Sequence, residues 1–96
     1  VSFVQDLSLE FFRAHAGASF SLADSGLALR LATVKQAGMP GYAREQAFSL
    51  IFEGPAQPRL EQATLCLRNE TAGEFHIFLV PVAADAGATY YEAVFN

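Results

Sequence analysis

The sequence predicts an α+β domain that is mainly β: a short N-terminal helix followed by about six antiparallel strands, forming a small roll or partly open barrel. Three observations carry this. Beyond Gly17, apolar and polar residues alternate with period two through most of the chain, which is the mark of strands that bury one face. Gly, Pro, Asn and Asp clusters interrupt that alternation at short intervals, as turns between strands do. Helical spacing occurs only before Gly17. The chain, residues 1–96, is expected to be a single β-rich domain, long enough to bury a core without a disulfide or a metal.

The helix is expected over Ser8 to Ala16, with Ser8 as N-cap, Leu9, Phe11 and Phe12 as the apolar stripe and Gly17 as the left-handed stop. Phe20 and Leu22 then alternate with Ser19 and Ser21. Ala23-Asp24-Ser25-Gly26 turns the chain into Leu27, Leu29 and Leu31, so the first two strands read as a hairpin. The apolar parity changes at Ala32-Thr33-Val34, which predicts either a bulge or the end of the strand's buried section. Gln36 to Ala43, with Gly38, Pro40 and Gly41, reads as the longest loop, presenting Met39 and Tyr42 to solvent or to a partner.

Gln46 to Glu53 is the third expected strand, with Phe48, Leu50 and Phe52 on one face. Leu60 to Arg68 is the fourth, with Ala63, Leu65 and Leu67 inward and Thr64, Cys66 and Arg68 outward. Phe75 to Val82 is apolar on both parities and is therefore expected to be covered on both sides, with Pro81 marking where its pairing stops. Thr89 to Phe95 closes the series, Tyr91, Ala93 and Phe95 completing the core and Tyr90 and Val94 facing outward.

Composition narrows the function. Apolar residues make up 52% of the chain and charged residues 17%, against roughly 45 to 50% and 25% in typical domains, so exposed apolar surface is expected. Ten acids against six bases leave a net charge of −4, which argues against a nucleic-acid or anionic-membrane surface. The longest apolar run, Phe75 to Ala84, is interrupted by His76 and Pro81 and is too short to span a membrane. No signal-like segment opens the chain, so a cytoplasmic or an already processed or otherwise exported protein is expected.

No catalytic, cofactor-binding or metal-ligating residue is expected, and no cofactor. His15 and His76 stand at no metal-ligand spacing, and Phe48-Ser49-Leu50 lacks the glycines of a nucleophile elbow. Cys66 would be a nucleophile only if His76 came beside it on the adjacent strand with an acid such as Glu74 near; a free cysteine is far more often a small hydrophobe. Glu53 and Glu92 sit on polar strand faces where solvation accounts for them.

The segments Phe48-Ser49-Leu50-Ile51-Phe52-Glu53-Gly54-Pro55, Phe78-Leu79-Val80-Pro81-Val82 and Tyr91-Glu92-Ala93-Val94-Phe95-Asn96, with the Gly17-x-x-Phe20 step, resemble a family of small bacterial domains of unknown function. The resemblance carries no catalytic residues. It implies an accessory or structural role in an extracellular or tail-like assembly, in association with phage-tail-collar-like proteins. The expected function is thus a non-enzymatic structural or protein–protein interaction module that self-associates or binds a protein partner, with Met39, Tyr42, Tyr90 and Val94 as candidate contact residues and an unpaired terminal strand as a candidate edge. The alternative is a small barrel that holds an apolar ligand, against which stand the bulky Phe, Leu and Ile at inward positions.

Overall fold

The computed structural model describes residues 9–36 and 48–95. Among these described residues one helix, α1 (Leu9–Ala14), precedes six strands: β1 (Ser19–Leu22), β2 (Ala28–Gln36), β3 (Phe48–Pro55), β4 (Ala63–Asn69), β5 (Gly73–Ala84) and β6 (Ala88–Phe95). Every pairing is antiparallel, and the order β1-β2-β3-β6-β5-β4 closes on itself as β1 pairs with β4. The barrel is therefore closed and not partly open. Closure comes from the shortest strand, joined to β4 by Ser21↔Arg68 and Leu22↔Leu67.

Alternation along each strand fills the interior. Phe20, Leu22, Leu29, Leu31, Leu50, Phe52, Leu67, Phe75, Ile77, Leu79, Tyr91 and Ala93 are all buried in one core. The helix seals one end of it. Phe12, fully buried, lies 5.9 Å from the Phe48 ring at the start of β3, 5.6 Å from Phe75 near the start of β5 and 5.6 Å from Phe95 at the end of β6. Gly17, at φ +85°, ends the helical segment and turns its N–H onto the Leu31 carbonyl at 2.7 Å, tying the helix to β2.

The expected hairpin is present, and the parity change is a bulge: β1 and β2 pair through Phe20↔Leu29, and the β2–β3 register shifts between Leu31 and Thr33. Four expectations change. β5 is not covered on both sides, because Phe75, Ile77 and Leu79 point into the core while Phe78 and Val82 stand in solvent. Pro81 does not end the pairing of β5; the strand absorbs it with a register shift between Pro81 and Ala83 and continues to Ala84↔Thr89. β6 is no edge, since β3 flanks it on one side and β5 on the other. Phe95 is only partly buried, although it packs against the core. Ser8, Met39, Tyr42 and Asn96 lie outside the described residues.

Candidate functional site

Alternation places Phe78 of β5 and Val94 of β6 on the outer wall of the barrel, and Val82, at the register shift of β5, is exposed as well. Phe78 is 52% exposed, Val82 50% and Val94 58%. The Val80↔Glu92 pair sets their relation: Phe78 on β5 and Val94 on β6 each lie two residues from it toward the helix end. Ile51 on β3 pairs with Glu92 from the other side, and Ile51 and Val80, both half-buried, extend the patch across three strands. Contiguous exposed apolar side chains of this kind, with one carboxylate among them, mark contact surfaces more than they mark catalysis.

Of the residues singled out in the sequence, Val94 belongs to this patch. Tyr90 stands at its far end and braces the β5–β6 turn. Its hydroxyl donates to Asp85 Oδ2 at 3.4 Å, while Asp85 Oδ1 accepts the N–H groups of Gly87 and Ala88 at 2.9 Å each and so fixes the turn. The negative charge of Asp85 pushes the Tyr90 phenol above its ordinary value, with burial and Glu53 adding and Arg30 opposing. Glu53, expected to be merely solvated, pairs with Arg30 across the β2–β3 ladder, Nε to Oε1 3.1 Å.

The second constellation is the one that would make Cys66 a nucleophile. β4 and β5 place Cys66 directly opposite His76, and Arg68 directly opposite Glu74. Arg68 Nε donates to Glu74 Oε2 at 2.6 Å, which satisfies a nearly buried carboxylate, and the other oxygen of Glu74 lies 3.9 Å from Cys66 Sγ. The residues meet, but the electrostatics run the wrong way for a thiolate. Burial, then Glu74 and Asp24, push the thiol up, and Arg68 offsets only part of this. Among the described residues no group of three or more His, Cys, Asp or Glu is arranged to hold a metal ion.

The surface formed by the described residues has depressions, two of which bear on function. One, of about 370 Å³, lies over the β1–β4 seam against Ser19, Ser21, Arg68 and Glu70. The other, of about 280 Å³, is a groove lined by Arg59, Pro81, Val82, Ala83, Ala84 and Thr89, adjoining the apolar patch at Val82. Arg59 had no signal in the sequence, because its chemistry depends on where β4 stops pairing. No helix among the described residues is long and apolar enough to cross a membrane.

Comparison with curated proteins finds no match, and comparison with solved structures finds none. The model of a family described as a domain of unknown function, DUF6916, matches residues 7–95, which take in the helix and all six described strands, and the chain belongs to that family.

Proposed function

We propose that the domain is a non-enzymatic interaction module that docks through the outer wall of β5 and β6, onto a protein partner or onto further copies of itself. The observation that carries this is the half-exposed trio Phe78, Val82 and Val94 on adjacent strands. Full burial of one such side chain contributes about 1.5 to 3 kcal/mol, so covering what remains exposed of three gives a contact a usable apolar centre. The upward-shifted Cys66 thiol supports a non-catalytic reading. The ligand-carrier alternative loses ground to the interior, where Phe20 meets Phe52 and Phe75 edge to face at 6.0 and 5.5 Å. An accessory place in a bacterial fibre-like or tail-like assembly belongs to the same proposal and rests on the sequence resemblance alone.

Sedimentation velocity over a wide concentration range tests it, on the wild type and on Phe78→Glu and Val94→Glu, both surface changes that leave the core intact. Concentration-dependent association that the two variants abolish is the expected result. A wild type that stays monomeric throughout, and binds no protein that the variants fail to bind, overturns the reading.

A further inference from the structure

The β4–β5 ladder ends at Ala63↔Leu79, whereas β5 goes on pairing with β6 as far as Ala84↔Thr89. β5 has twelve residues and β4 seven. The last five residues of β5, Val80–Ala84, thus carry a strand partner on one side only, and among the described residues no other backbone hydrogen bond reaches them. One-sided stretches also occur at the end of β2 and the start of β4 among the described residues; the one on β5 is the one that a groove borders. The segment before β4 is tied to β6 here, the Leu60 N–H donating to the Tyr91 hydroxyl at 2.9 Å.

The 280 Å³ groove lies along this edge, with Pro81, Val82, Ala83 and Ala84 as one wall and Arg59 as the other. Arg59 is exposed and makes no ion pair among the described residues. Asp85, the acid next to the groove in sequence, is already occupied by Gly87, Ala88 and Tyr90. A row of backbone groups without strand partners beside small apolar side chains and an uncompensated cation has one natural complement: an extended segment that supplies the missing ladder bonds and a carboxylate.

We infer that Val80–Ala84 and Arg59 form a strand-addition site for a short extended segment of another protein, with small apolar side chains and one acidic residue. This rests on reading the domain as an interaction module and names the mode and chemistry of the contact. Pro81 offers no N–H, so the added segment finds donors only from Val82 onward and the pairing stays short. That feature suits a brief recognition motif and opposes edge-to-edge stacking of copies.

The test is an amide-resolved NMR titration of the whole chain with a blocked pentapeptide alternating valine and threonine and bearing one glutamate, and with its lysine counterpart. The glutamate peptide is expected to shift the amides of Val82, Ala83 and Ala84 and to bind about fivefold tighter than the lysine peptide, the contrast a single exposed charge pair supplies. Arg59→Gln is expected to erase that preference, and Phe78→Glu to keep it. Equal binding of the two peptides, shifts confined to other residues, or shifts of these amides with protein concentration alone, which would mean that a second copy takes the edge, each overturn the inference. Absence of peptide shifts in a protein whose association Phe78→Glu still abolishes removes this site and leaves the outer-wall reading standing; loss of both effects removes both.

Discussion

The rings of Phe48 and Phe95 stack with centroids 4.5 Å apart and planes 12° from parallel, joining the first residue of β3 to the last of β6. They are also register partners, and Phe12 lies over both at the helix end. Phe95 therefore holds three elements together although it is only partly buried. Truncating a fully buried Phe costs about 3 to 5 kcal/mol, and partial exposure reduces this, so Phe95→Ala is expected to cost about 2 to 3 kcal/mol. Urea denaturation with an unchanged slope measures it; a shift no larger than that of a neutral surface variant would show that the stack contributes nothing.

Gly54 has no room for a side chain. A Cβ built there would lie 2.6 Å from Leu29 Cδ2 and 3.3 Å from Tyr91 Cε1, and both neighbours are fully buried. Neither has room to retreat, so Gly54→Ala is expected to cost about 1 to 3 kcal/mol through overpacking. Coupling identifies the cause. In a Leu29→Ala background the same change should cost markedly less, because residues in contact do not add. Equal costs in both backgrounds would locate the effect in the backbone instead.

Much of the fold was legible because burial has period two. The parity of Phe20, Leu29, Leu50, Phe52, Leu67 and Tyr91 marks each as inward, and each is buried. The change of parity after Leu31 marked the place of the bulge for the same reason. Period two does not fix strand order, and this is where expectations changed. β6 lies between β3 and β5, so the supposed terminal edge is an interior strand, and β5 outruns β4 to leave an open stretch of its own. Hydropathy also misled at Phe78 and Val82: an apolar outer parity reads as burial on both faces, but among the described residues no second layer covers that side of the barrel. Val94 was legible as outward, whereas Arg59 acquires its place only from the divergence of the chain before β4.

Cys66 offers an electrostatic test. Its thiol lies above its ordinary value through burial first and the Glu74 charge next, with Arg68 opposing. Glu74→Gln removes a raising charge, so alkylation by iodoacetamide at neutral pH should accelerate; Arg68→Ala removes the opposing charge and should slow it. The linkage has a definite sign. A thiol that holds its proton more tightly when folded adds stability that is fully present below the unfolded thiol's value and is lost as pH rises through the folded one. Glu74→Gln should therefore weaken the fall in stability on the alkaline side. Wild-type alkylation faster than that of a model thiol would contradict the assignment.

Tyr91 joins core and mouth in one side chain. The residue is 1% exposed among the inward side chains, and its hydroxyl accepts the Leu60 N–H at 2.9 Å across 31 residues of sequence. The two roles separate by substitution. Tyr91→Phe keeps the ring and removes only the acceptor, leaving a half-buried amide to find another partner; the loss of such a bond costs about 1 to 3 kcal/mol, toward the low end where water reaches the donor. Tyr91→Ala also empties the ring's place and should cost about 3 to 5 kcal/mol. Global stability alone cannot locate the first effect, but hydrogen exchange can. The Leu60 amide should lose protection in Tyr91→Phe by more than the drop in global stability accounts for, while amides in the β3–β6 ladder follow that drop. A Leu60 amide that exchanges as slowly in Tyr91→Phe as in the wild type would mean that something other than the hydroxyl holds the segment before β4 in place.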